Sequence, residues 1–149
     1  MAPRAQKIKP NNKSHSKPIN LPVCGDREKD GFWYPSEAFV EKAHEIMIER
    51  YGGHTGFERG INIYLCLIEE IKQIEGTYMK AAMLLQGIAV RRIFQDGNHR
   101  TAYIATKTFL EMNDGEINEK DDLKVIKFIK EIRNYNLNQV ESWLKDGKL

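Results

Sequence analysis

Cysteine is scarce: two residues in 149, Cys24 and Cys66. They stand apart with no metal-ligand spacing, and the second falls in an apolar helical stretch, so free thiols are expected rather than a disulfide framework. The four histidines, His15, His44, His54 and His99, form no zinc-type spacing, and no structural metal is expected. No segment approaches the ~20 consecutive apolar residues of a membrane span, and no signal-peptide core precedes the domain. The cytoplasm is the expected compartment, with no membrane partner. A net charge of +2 is too small to argue for nucleic acid. Clean strand alternation is missing as well, which leaves an all-α class with at most a small hairpin near Gln95 or Ile117.

What is present describes one domain. An apolar fraction of 41% with 30% charged residues is ordinary for a single globular core. The first twenty residues differ, carrying Arg4, Lys7, Lys9, Lys13, Lys17 and three prolines with almost nothing apolar, the composition of a loosely packed basic arm. Residues 1–31 therefore read as arm and linker, and 32–149 as the domain. Nucleic acid is not an expected partner, because no recognition motif follows the arm.

Helical periodicity dominates the domain. Pro35, Ser36 and Glu37 suit a helix start, and Phe39, Ala43, Ile46 and Met47 give it one apolar face before Gly52-Gly53. Ile61, Leu65, Ile68 and Ile71 mark a second helix, closed near Gly76. The segment from Met79 to Val90 is apolar almost all round and reads as a buried central helix. Ala102, Ala105, Phe109 and Met112 give the next helix its face, and Asn113-Asp114-Gly115 is a turn. Val125, Phe128, Ile129 and Ile132 follow, then Leu137, Val140 and Leu144 with Trp143. The expected fold is a compact bundle of about six helices.

Between the two central helices lies Arg92-Ile93-Phe94-Gln95-Asp96-Gly97-Asn98-His99-Arg100-Thr101. Gly97 permits a positive φ or a close approach of backbone to ligand, and Asn98 tolerates the left-handed region best among other residues. Consecutive N–H groups there, opening a helix, make an anion nest. Arg100 is suited to clamp a phosphate, Asp96 to hold a magnesium ion bridging phosphates, and Phe94 to peg the loop to the core. Arg91 and Arg92 add positive charge. Lys80 reads as a surface lysine. Glu45, Glu49 and Arg50 read as solvated charges ending a helix, while Thr101 suits packing or capping as well as ligand contact. His54 and Thr55 lie in a glycine-rich loop of the kind that carries function.

This stretch resembles the signature of the Fic/Doc (Fido) family, His-x-Phe-x-Asp/Glu-Gly/Ala-Asn-x-Arg, through Phe94, Asp96, Gly97, Asn98 and Arg100. Glu49-Arg50-Tyr51-Gly52-Gly53 resembles an arginine-tyrosine-glycine-glycine element of the short Doc, or death-on-curing, branch. The resemblance spans roughly Tyr34 to Leu144. It implies transfer of a phosphoryl or nucleotidyl group from ATP or another nucleoside triphosphate, with Mg2+, to a hydroxyl of a protein substrate such as a translation factor. It further implies that Asp96 binds the metal and that Gly97, Asn98, His99 and Arg100 line the phosphates. A separate Phd-type antitoxin is the implied partner, packing as a helix in a groove. The inhibitory Ser/Thr-x-x-x-Glu-Gly/Asn helix of many Fic proteins does not occur in the chain.

Arg92 stands where the family has its general-base histidine. A guanidinium stays protonated at any pH the fold survives and cannot take a proton. Loss of a positioned base removes roughly a hundred- to ten-thousand-fold in rate. His99 and His54 are the conceivable substitutes. Two functions therefore stand side by side: a Doc-like toxin-type transferase with impaired chemistry, and a non-catalytic nucleotide- or partner-binding module. Pairing of Arg92 with a nearby carboxylate is the plain structural alternative.

Overall fold

The computed structural model describes Leu21, Val23 and residues 26–149. The basic arm and Cys24 lie outside the described residues. Among those described, six α-helices form: α1 (Glu37–Tyr51), α2 (Ile61–Lys72), α3 (Thr77–Val90), α4 (Asn98–Met112), α5 (Asp122–Lys130) and α6 (Leu137–Asp146), with a 3-10 turn at Ile132–Asn134. The fold is all-α, as the periodicity implies; no strand is present among these residues, only one isolated antiparallel bridge between Phe57 and Phe94.

Local chemistry sets the helix ends. Ser36 caps α1 by accepting a hydrogen bond from Phe39 N–H at 3.1 Å, relieving one of the four unpaired donors of a first turn. Asp121 does the same for α5 through Leu123 N–H at 2.9 Å. Asn136 and Gln139 form a reciprocal capping box that starts α6.

Helix α3 is the centre, packed against α2, α4 and α6. Ala81, Ala82, Leu84, Leu85, Ile88 and Ala89 are all buried, which accounts for its apolar character on every side. Phe128 stacks on Trp143 at 3.9 Å, joining α5 to α6. On α1 the core face is Phe39, Val40, Ala43, His44, Met47 and Ile48. Ile46, assigned to that face above, is only partly covered, because the buried stripe runs one residue to its side. On α2, Tyr64 and Leu67 fill the interior and Leu65 is exposed, for the same reason.

Lys80 is not a surface lysine. It is 2% exposed, and its ammonium donates to Tyr34 Oη at 2.8 Å and to the Ile71 carbonyl at 3.1 Å, with the Phe32 ring 4.7 Å away. Burial lowers its pKa, against the pull of Asp30 and Glu75. Tyr34 in turn donates to Asp30 at 2.6 Å, so Lys80 fastens the segment before α1 to the bundle and has no part in the loop between α3 and α4. Arg27 reaches the other side of the same segment's dock, donating to the Met112 carbonyl at 2.6 Å and to Asn113 Oδ1 at 2.9 Å.

Candidate anion-binding site

The loop between α3 and α4 is held from three directions. Phe94 is 1% exposed, with the His44 ring stacked on it at 3.7 Å and the Phe57 ring at 5.4 Å. Asn98 is also buried; its carboxamide accepts from Phe94 N–H at 3.1 Å and donates to the Phe94 carbonyl at 2.8 Å. The side chain is thus spent on folding the loop back upon itself, and what Asn98 can offer an anion is its backbone N–H. Segment 56–60 runs alongside: Gln95 N–H donates to Gly56, Glu58 and Gly60 N–H to Ile93, and Arg59 N–H to Arg92.

The two sequence elements singled out above meet in space. His54 N–H donates to Asp96 Oδ2 at 2.8 Å, and a Cβ on Gly53 would lie 3.0 Å from Asp96 Cβ. Only glycine allows that approach, and Gly53 also has φ +116°. From the motif side, Gly97 takes a left-handed conformation, φ 79° and ψ 11°, and opens α4 with no side-chain cap. The first N–H groups of α4 are left for an external acceptor at the positive end of the helix dipole. Arg100, in that first turn, lies over the Tyr51 ring at 4.3 Å and has no ion-pair partner among the described residues.

Asp96 suits magnesium on its chemistry. Oδ2 is engaged by His54 N–H, and Oδ1 has no hydrogen-bond partner among the described residues. No group of three metal-ligating side chains occurs among them, so a magnesium ion there would take Asp96 as its one protein carboxylate and complete its shell with water and phosphate oxygens.

The arginines divide. Arg91 forms a two-pronged bond to Glu70 at 2.7 and 3.1 Å, so it belongs to the α2–α3 contact and adds nothing to the loop, contrary to the expectation of a triple cation set. Arg92 bonds Glu58 at 2.7 Å, and this pairing raises its pKa further. Its backbone is left-handed, φ 60°. Among the histidines, His54 contributes its backbone, while the pKa of His99 is lowered by partial burial and by the charges of Arg133, Arg92 and Arg100. Thr101 is fully buried with its hydroxyl unpartnered, a packing position.

Three contributors escaped the sequence reading. His44 could have been found from helical spacing with Val40, Met47 and Ile48. Glu58 and Arg133 carry no local signal, since each reaches the loop only through tertiary folding.

A family model for the Fic/DOC family matches residues 34–110. The chain belongs to the Fic/DOC family, nucleotide-transferring enzymes that act on protein targets and generally use a nucleoside triphosphate and a metal. No curated protein matches it. Among the described residues, no helix is long and apolar enough to cross a membrane.

Proposed function

We propose that the chain is a Doc-like, toxin-type transferase of the cytoplasm that binds a magnesium nucleoside triphosphate and moves a phosphoryl or nucleotidyl group to a protein hydroxyl, with its standard chemistry impaired by Arg92 at the general-base position. One observation carries the reading. Asp96, the uncapped first turn of α4 and the Arg100 guanidinium share one loop, and the Gly53-His54 backbone closes on Asp96. In this reading Asp96 would hold the metal, whose charge offsets that of the phosphates. The N–H groups of Asn98, His99 and Arg100, with the Arg100 side chain, would orient the phosphates, and Gly97 would let the backbone come close. Phe94, His44 and the Asn98 carboxamide hold that geometry in advance.

The weak point of the enzyme is the proton. Arg92 is cationic and bonded to Glu58, so the substrate hydroxyl has no base at the motif position. A second reading follows from this same observation: a nucleotide- or partner-binding module without turnover. A Phd-type antitoxin would be the regulatory partner of the first, and a protein such as a translation factor its substrate.

The test compares the unaltered chain with Arg92→His for transfer from α-labelled and γ-labelled ATP, with magnesium, to proteins of a cell lysate. Transfer that appears in Arg92→His alone supports an enzyme lacking its base, and the label retained names the chemistry. Silence from both with ATP still bound favours the binding module. Silence from both without ATP binding overturns both readings.

A further inference from the structure

One stripe of α1 follows the motif loop from end to end. His44, Ile48 and Tyr51 stand at i, i+4 and i+7, on one face of the helix. His44 meets the Phe94 ring and the Asp96 carbonyl. A Cβ on Gly97 would lie 3.2 Å from Ile48 Cδ1. Tyr51, the last residue of the helix, lies beneath Arg100, whose guanidinium carbon is 4.3 Å from the ring centroid. The chain then turns at Gly52, φ 87°, with the Gly52 N–H donating to the Ile48 carbonyl at 2.7 Å. Two residues further on, the His54 N–H reaches Asp96 Oδ2. The end of α1 therefore touches both charged groups suited to a phosphate ligand, Asp96 from His54 and Arg100 from Tyr51.

The three arginines around the loop are held in different ways. Arg91 donates twice to Glu70, and Arg92 donates to Glu58 and to the Gln95 carbonyl. A carboxylate fixes a guanidinium by taking its donors and offsetting its charge. An aromatic face attracts the same cation through the ring quadrupole and takes neither. Arg100 has only this second kind of partner; its side chain makes no ion pair or hydrogen bond among the described residues. Its planar fork and its charge stay available to phosphate oxygens while the ring restrains where they sit. Arg100 and Tyr51 are both exposed, so a ligand reaches them from solvent. An arginine ordered only when the ligand arrives costs side-chain entropy at that moment, and one already held on a ring costs less.

We propose that Tyr51 is a positioning residue for Arg100: its ring holds the guanidinium over the first turn of α4 with the donors free, so that a polyphosphate meets an arginine already in place. Tyr51 acts through Arg100 and not by touching the anion. The inference rests on the nucleotide reading above for the identity of that anion, the triphosphate chain of the nucleotide.

Calorimetric titration of the full chain with magnesium ATP, and separately with inorganic tripolyphosphate, tests this in Tyr51→Leu, Tyr51→Phe, Arg100→Ala and the double variant of Tyr51→Leu with Arg100→Ala. Tyr51→Leu should weaken both ligands by about two- to fivefold, the usual worth of an exposed cation–ring contact, and Tyr51→Phe, which keeps a ring, by less. In the Arg100→Ala background Tyr51→Leu should have no further effect. A loss that persists in that background, or a melting temperature that falls in step with affinity, would mean that Tyr51 acts on the ligand or the fold without Arg100, and overturns the inference. Equal affinities for Tyr51→Leu and the unaltered chain overturn it as well and leave the nucleotide reading intact. Tyr51-dependent binding of tripolyphosphate without binding of ATP supports the inference and removes the nucleotide. If neither ligand binds the unaltered chain, both fall.

Discussion

His44 and Phe94 lie ring on ring, 3.7 Å between centroids and 6° from parallel. The same imidazole places Nε2 2.8 Å from the Asp96 carbonyl oxygen. A carbonyl only accepts, so Nε2 carries the proton, and α1 grips the motif loop by one stacked face and one hydrogen bond. His44→Ala should cost about 2–4 kcal/mol from lost packing and an orphaned carbonyl. His44→Phe keeps the stack and should cost less. Urea unfolding of the two variants measures the difference, and equal losses would mean that the ring's polar edge contributes nothing.

A pH dependence follows from the same histidine. Burial lowers the pKa of His44 from its ordinary 6.5, against the opposing pull of Asp96, and the pKa of His99 is lowered too. The folded state therefore takes up protons later than the unfolded chain as pH falls. Stability contributed by the neutral rings is complete above about pH 6.5 and drains away as pH drops from there through the folded-state values. The melting temperature should fall between pH 7 and 5, with a shallower fall in His44→Phe. A slope unchanged by that substitution would remove His44 from the account.

Asn98 offers a sharper test of how the loop is folded. Its two bonds to the Phe94 backbone are buried. Asn98→Ala leaves a donor and an acceptor unpaired, and the loss should be about 2–4 kcal/mol. Asn98→Asp keeps the bond from Phe94 N–H but sets a carboxylate against the Phe94 carbonyl, so its destabilisation should shrink as pH falls toward 4, where the acid can donate. Denaturant titration at pH 7 and pH 4.5, each against the unaltered chain, reads this directly. A pH-independent penalty would mean that the side chain has turned away.

How much of this was written in the sequence depends on distance along the chain. The helices were legible because each carries its own apolar period, helped at the ends of α1 by Ser36 before Phe39 and Gly52 after Tyr51; the start of α4 at Asn98 falls inside the stretch that reads as loop, because Gly97 opens the helix without a side-chain cap. The Gly97-to-Arg100 run could be read as an anion loop because its chemistry is contiguous. Lys80 was misread because a lone lysine in an apolar helix gives no sign of Tyr34 and Ile71 folding over it. Arg91 and Arg92, adjacent in sequence, go to Glu70 and Glu58 on opposite sides of the loop's base, and neither pairing has a local signature. Sequence spacing reports which residues share a face. It does not report which partner a long, flexible cation reaches.

Packing of α2 on α3 turns on one missing atom. A Cβ on Gly87 would meet Leu67 Cδ1 at 2.5 Å and Cδ2 at 2.6 Å, and Leu67 is fully buried. Helix propensity favours alanine by about 1 kcal/mol, while overpacking costs about 1–3 kcal/mol, so Gly87→Ala should be net destabilising. Leu67→Val shortens the opposing side chain and should cost more alone than it does in the presence of Gly87→Ala. A double-mutant cycle in thermal unfolding gives the coupling; additive effects would show that the helices slide apart rather than collide.

Arg92 separates backbone strain from chemistry. It holds φ at 60°, a region costly for a long side chain and entered several-fold more readily by asparagine, aspartate and histidine. Its bond to Glu58 is exposed on both sides and offsets little of that strain. Arg92→Asn and Arg92→His should therefore both raise the melting temperature, by about a few degrees. Only histidine supplies a group that can accept a proton near neutral pH. If transfer to protein is restored by Arg92→His and not by Arg92→Asn while both melt later, the gain is the base and not the relaxed loop. Equal gains in transfer from the two variants would instead place the defect in the backbone, and Arg92 would be an obstacle to loop geometry rather than a missing base.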